Sequence, residues 1–123
     1  MTEVLYKELS YNVMAAVFEV HKVLGSGFLE KVYENALVKE FNLRNIAVET
    51  QKEINVSYKG ASVGNYYADM LVDGKIIIEL KATEKLGRLH EAQLLNYLKA
   101  TGMKLGYLIN MGGKSVEYKR MVY

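Results

Sequence analysis

Apolar residues recur at helical spacing from Val4 to Leu24, at Leu5, Leu9, Val13, Ala16, Val17, Val20 and Leu24. That pattern predicts an amphipathic first helix. Gly25-Ser26-Gly27 should end it, because glycine takes the left-handed C-terminal conformation without steric penalty. A second helix is expected from about Phe28 to Phe41, with Leu29, Val32, Tyr33, Ala36, Leu37 and Phe41 as its stripe. The period then drops to two. Val48 to Tyr58 reads as a strand, with Ile54, Val56 and Tyr58 alternating, and Lys59-Gly60-Ala61 as a turn. Val63 to Val72 and Lys75 to Lys81 read as two more strands joined at Asp73-Gly74. Thr83 is suited to cap a helix running to about Ala100, with Leu86, Leu94, Leu95 and Leu98 facing the core. Thr101-Gly102 ends that helix, and Lys104 to Ile109 and Ser115 to Val122 are the last strands. The order ααβββαββ predicts an α/β fold, a short mixed β-sheet flanked by helices.

Composition narrows the picture without naming a function. At 123 residues, 50% hydrophobic and 24% charged, the chain is expected to form one domain over residues 1–123 and not a disordered segment. Its longest clean apolar run, Ile76-Ile77-Ile78, is strand-sized, far short of the ~20 residues that span a bilayer. The start, MTEVLYKELS, lacks a basic region followed by an apolar one, so no leader is expected. The absence of cysteine excludes disulfides, thiolate catalysis and Cys-ligated metal, and fits a cytoplasmic location. A net charge of +2 is too mild to mark a nucleic-acid binder by itself. The halves differ, however. Residues 1–60 hold 7 basic and 8 acidic side chains, and residues 61–123 hold 9 and 6.

The most informative segment is Ile76-Ile77-Ile78-Glu79-Leu80-Lys81. A triple-isoleucine strand belongs inside a sheet covered on both faces. Glu79 and Lys81 follow it directly and share a face, and a buried charge is costly unless paired or metal-bound. Asp69 lies across the hairpin. Two carboxylates and a lysine at one sheet end would suit a divalent cation and a polarised water. Register decides whether they meet. With a strict two-residue turn Val72 pairs with Lys75, Asp69 opposes Ile78, and Glu79 faces away. With a bulged or odd-length connection, such as Leu71 pairing with Lys75, Asp69 and Glu79 share a face. The metal reading therefore predicts an odd-length hairpin.

Two further motifs bear on this reading. Gly27-Phe28-Leu29-Glu30-Lys31-Val32-Tyr33 opens the second helix. Glu30 there could simply favour the helix dipole and Tyr33 simply fill the core. Gln93 and Tyr97 lie one turn apart on the third helix, with His90 on the preceding turn. They could equally form a polar rim beside the leucines.

Taken together, these residues resemble the GxxExxY proteins, a small-domain branch of the PD-(D/E)xK nuclease superfamily. The matching pieces are Gly27-x-x-Glu30-x-x-Tyr33, Tyr67-Ala68-Asp69, Val72 through Glu79-Leu80-Lys81-Ala82, and the helix His90-Glu91-Ala92-Gln93-Leu94-Leu95-Asn96-Tyr97-Leu98. Leu108-Ile109-Asn110 and Lys119-Arg120 fit the family's end. The resemblance covers nearly the whole chain and implies a restriction-endonuclease-like core. It implies that Asp69 and Glu79 ligate Mg²⁺ or Mn²⁺, with the backbone carbonyl of Leu80 as a further ligand. Lys81 would orient or help deprotonate the attacking water. Glu30 is similar to the extra helix carboxylate of the RecB-like branch, reaching the metal directly or through water. Gln93 and Tyr97 are similar to its QxxxY element, contacting substrate or bracing the site. Ala68 stands where the family's name has proline, a change that removes no ligand. With no cysteine, the iron–sulfur cluster of some QxxxY relatives is excluded.

The resemblance thus implies a metal-dependent phosphodiesterase acting on nucleic acid, DNA first. The alternative is a catalytically weak nuclease-fold module that binds nucleic acid or a protein partner. Retention of Asp69, Glu79 and Lys81 together favours turnover. A third reading is a structural protein whose charges are surface pairs; a basic cleft beside Lys81, Lys85 and Arg88 would oppose it, although Lys85 and Arg88 could equally be solvated residues of an amphipathic helix. So small a domain leaves substrate grip to a homodimer or a partner, and ten tyrosines offer material for an aromatic interface.

Overall fold

The computed structural model describes residues 4–123; residues 1–3, the start of the segment read as leaderless, lie outside them. The elements are α1 (Lys7–Leu24), α2 (Glu30–Leu43), β1 (Val48–Tyr58), β2 (Ala61–Val72), β3 (Ile76–Lys81), α3 (Arg88–Thr101), β4 (Leu105–Asn110) and β5 (Glu117–Val122). This is the predicted ααβββαββ order. The strands lie in one five-stranded sheet in the order β1-β2-β3-β4-β5. β3 and β4 run parallel, and the other neighbours are antiparallel. Parallel neighbours need a crossover, and α3 supplies it. None of the described helices is long and apolar enough to cross a membrane.

Each face of the sheet has its own core. Val13, Val17 and Val20 of α1 and Tyr33, Leu37 and Phe41 of α2 pack with Met70, Val72, Ile76, Ile78 and Leu80. On the other face Leu94 and Leu98 of α3 pack with Leu71, Ile77 and Leu108. Ile76, Ile77 and Ile78 are fully buried, because β3 is covered on both sides as a continuous apolar strand requires. Gly25, at φ 72°, ends α1 and donates its N–H to His21 O, the role its missing Cβ permits.

Two features of α3 differ from expectation. The third helix starts at Arg88, after Gly87, and not at Thr83. Thr83 is committed elsewhere: its N–H donates to Asn110 Oδ1 at 2.9 Å and its carbonyl accepts Asn110 Nδ2 at 3.0 Å. The Thr83 hydroxyl, the group that would cap a helix, instead donates to the Lys85 carbonyl at 2.7 Å. The capping partner of Gly87 N–H is His90 Nδ1 instead. Leu95, expected in the core, is 38% exposed.

The β2–β3 hairpin has the odd length that the metal reading requires. Val72 pairs with Ile76 and Leu71 with Ile77, so Asp73, Gly74 and Lys75 form the connection. Asp73 and Gly74 both have positive φ, 51° and 66°, as primed turns demand. The detail differs from the Leu71–Lys75 pairing expected, since Lys75 is the extra residue.

A second irregularity lies further along. Met70 and Val72 belong to the α1/α2 core, whereas Tyr66 and Ala68 belong to the α3 core. On β1, Val48 packs with the first core, and Ile54 and Val56 with the second. Regular pleating keeps alternate residues on one face. Both strands therefore reverse their pleat where Gln51 of β1 lies across from Asp69 of β2, between the pairs Thr50–Met70 and Lys52–Ala68.

Candidate active site

The reversal puts Asp69 in a cleft of about 200 Å³ at the α2 side of the sheet, lined also by Glu30, Lys31, Glu34, Gln51 and Leu80. The Leu80 N–H donates to Asp69 Oδ2 at 2.8 Å. Glu30 stands at the first position of α2, where the helix dipole favours a carboxylate. Its placement is set by Tyr33. The buried Tyr33 hydroxyl donates to Gly25 O at 2.6 Å and accepts the Phe28 N–H at 3.3 Å. One side chain thus ties down the whole turn leading into α2, so Tyr33 is core and also scaffolding for Glu30.

Glu79 and Lys81 lie on the other side of β3. They line a cavity of about 340 Å³ with Asn65, Tyr66, Tyr67, His90, Gln93 and Tyr97. The Tyr66 hydroxyl donates to Glu79 Oε1. Tyr66 is in turn stacked on Tyr97, with ring centroids 3.7 Å apart and planes 12° from parallel. Burial pushes the Glu79 carboxyl up from 4.5 to about 7, against the pull of Lys81 and a backbone hydrogen bond at Asp69, with Glu30 adding a further push. Glu79 and Asp69 are therefore coupled through backbone. The Asp69 side chain holds the amide of β3, and the Asp69 backbone bonds to Glu79.

The odd-length hairpin therefore does not bring Asp69 and Glu79 onto one face as expected, because the pleat reverses at Asp69; the expected site residues fall into two groups around the end of β3. Asp69, Glu30 and the Leu80 backbone stand on the α2 side, and Glu79, Lys81, Gln93 and Tyr97 on the α3 side. Tyr97 reaches Glu79 through Tyr66, which fits a brace. His90 combines helix capping with a place in the cavity lining. Glu34, Gln51 and Tyr66 are neighbours of the site that sequence reasoning missed. Tyr66 belongs to no motif, and no spacing rule linked Glu34 to Gln51.

The donors are all oxygen, which suits a hard divalent cation. Among the described residues, no three acidic or histidine side chains are grouped closely enough to hold an ion together. The residue that best fits a cation is Glu79, a desolvated carboxylate whose ionised form an adjacent positive charge favours.

Comparison with known proteins shows the family and the fold. The family profile of the PD-(D/E)XK nuclease superfamily matches residues 7–121. No curated protein matches the sequence. The crystal structure of SSO0001 shares the fold, with a TM-score of 0.56 at 19% sequence identity over 76% of this chain and 50% of that one. This chain therefore spans half the length of that protein, and at such identity the likeness concerns the fold alone.

Proposed function

The chain belongs to the PD-(D/E)XK nuclease superfamily, and on that premise we propose that it is a divalent-metal-dependent nuclease hydrolysing phosphodiester bonds in DNA. The observation that carries this reading is the end of β3. There a half-buried carboxylate with its pKa near 7 stands beside Lys81, bonded through backbone to a second carboxylate strand.

Asp69, Glu79 and the Leu80 carbonyl are assigned to hold Mg²⁺ or Mn²⁺, with Glu30 contributing directly or through water. Such an ion, when bound, stabilises charge on the phosphate and leaving oxygen and acidifies a water. Lys81 orients that water by donating a hydrogen bond and offsets phosphate charge. Tyr66 restrains the Glu79 carboxylate, and Tyr97 holds the Tyr66 ring by stacking. Gln93, exposed on the same cavity, contacts substrate. Among relatives, the residue pattern places the chain with the GxxExxY proteins and the RecB-like QxxxY branch. DNA is favoured by the excess of basic side chains in residues 61–123, including Lys85 and Arg88 beside the α3 cavity's helix. We read residues 1–123 as one nuclease domain of the cytoplasm, with a second copy or a partner sharing the grip on substrate.

The separation of the acidic side chains favours one alternative, a nuclease-fold module that binds nucleic acid or a partner with little turnover. Cleavage of single- and double-stranded DNA in Mg²⁺, Mn²⁺ or EDTA distinguishes the two. Metal-dependent cleavage lost in Glu79→Ala and Lys81→Ala supports the nuclease. Binding without cleavage by folded wild type supports the module.

A further inference from the structure

Gln51 belongs to none of the sequence motifs, yet it lies across from Asp69, between the pairs Thr50–Met70 and Lys52–Ala68. Its φ is 49°, in the interior of an 11-residue strand. A non-glycine residue is held in the left-handed region only where its surroundings over-determine it. Two constraints act on Gln51. One is the pleat reversal, which occurs on both strands at this pair. The other is its amide. Gln51 Nε2 donates to Glu34 Oε1 at 2.8 Å and lies 3.5 Å from Asp69 Oδ1. Glu34 is buried, and its other oxygen takes Lys31 Nζ at 2.5 Å. The amide thus faces two carboxylates at once, a place where a donor fits and an acceptor does not.

We infer that Gln51, anchored by the buried Glu34, is the positioning residue for Asp69. Its left-handed backbone turns Asp69 toward the α2 cleft. Its amide and the Leu80 N–H fix the two oxygens of the Asp69 carboxylate from opposite sides. The consequence for catalysis rests on the reading of Asp69 as a metal ligand; the positioning itself does not.

Gln51→Gly tests this directly, because glycine adopts the left-handed conformation without strain and the variant should fold. Its melting temperature is expected a few degrees below that of wild type, because relief of backbone strain offsets only part of the hydrogen bond lost to Glu34. In metal-free protein the Leu80 amide should exchange about tenfold faster, since the Asp69 carboxylate that protects it is no longer held. Mn²⁺ affinity should fall about ten- to a hundredfold, as for other lost supports of metal ligands. Glu34→Gln combined with Gln51→Glu keeps a hydrogen bond between the two positions but sets a carboxylate against Asp69. That swap should melt below Glu34→Gln alone and leave Leu80 exchange fast. Unchanged Leu80 exchange in Gln51→Gly, or its full recovery in the swap, overturns the inference. Wild type that binds no Mn²⁺ overturns the nuclease reading instead, and Leu80 exchange still decides the positioning role.

Discussion

The two sides of β3 hold their functional groups by different physics. On the α3 side, Glu79 is held by burial, a tyrosine hydroxyl and an aromatic stack. Its electrostatics are correspondingly strained, with a carboxyl pushed up to about 7. On the α2 side, Asp69 is held by a backbone amide, a side-chain amide and a backbone kink, in a smaller cleft. Desolvation tunes a group's chemistry, whereas directed hydrogen bonds set its direction. One side of the strand therefore controls proton affinity and the other controls geometry.

The largest test of that contrast is activity. Glu79→Ala and Lys81→Ala should each lower DNA cleavage by about 10²–10⁴-fold, the range of a positioned charged or acid–base group. Glu30→Gln should lower it less. Equal losses for all three would erase the proposed division between the sides.

Next comes the connection that carries β3 into α3. A Cβ at Gly112 would lie 2.1 Å from the Thr83 carbonyl oxygen and 2.5 Å from its nitrogen. Backbone cannot yield as a flexible side chain does, so Gly112→Ala should destabilise the protein by about 3 kcal/mol. Chemical denaturation measures this. A neutral result would show that the clamp between Asn110, Gly112 and Thr83 does not support the α3 side.

A pH profile then isolates the strained carboxylate. The folded-state pKa of Glu79 is raised, so the folded protein binds its proton more tightly than the unfolded chain does. Stability from this group is fully present below pH 4.5 and is lost as pH rises through about 7. Glu79→Gln abolishes that loss while keeping an acceptor for Tyr66. It should be about 3 kcal/mol more stable than wild type at pH 8 and nearly equal at pH 4. A pH-independent difference in melting would remove desolvation as the controlling effect. Metal affinity and cleavage should rise with pH up to about 7 and level off above it.

The smallest effect is expected at the brace. Tyr97→Leu removes a stack worth about 1 kcal/mol. It should lower kcat a few-fold through a loosened Tyr66, with no change in the pH 4 melting temperature beyond that stack. A change confined to KM would mean that Tyr97 meets substrate itself.

Much of this was legible in the chain. Glycines and turn residues marked the ends of α1 and α3, and the hairpin's odd parity followed from placing two carboxylates on neighbouring strands. The start of α3 was misjudged, because Thr83 is a good cap in isolation and only Asn110, 27 residues away, claims its backbone. Gln51 gave no local signal. Its environment is composed of Glu34 on α2 and Asp69 on β2, 17 and 18 residues distant.

By itself, then, the sequence determined the element order, the doubly covered central strand and the identity of the residues at its end. Those depend on periodicity and local backbone preference, which act over a few residues. Tertiary structure decided which face each carboxylate takes, how high the Glu79 pKa stands and what restrains Asp69. Those depend on burial, on the reversed pleat and on hydrogen bonds between distant strands. Such forces exist only once the chain has closed on itself.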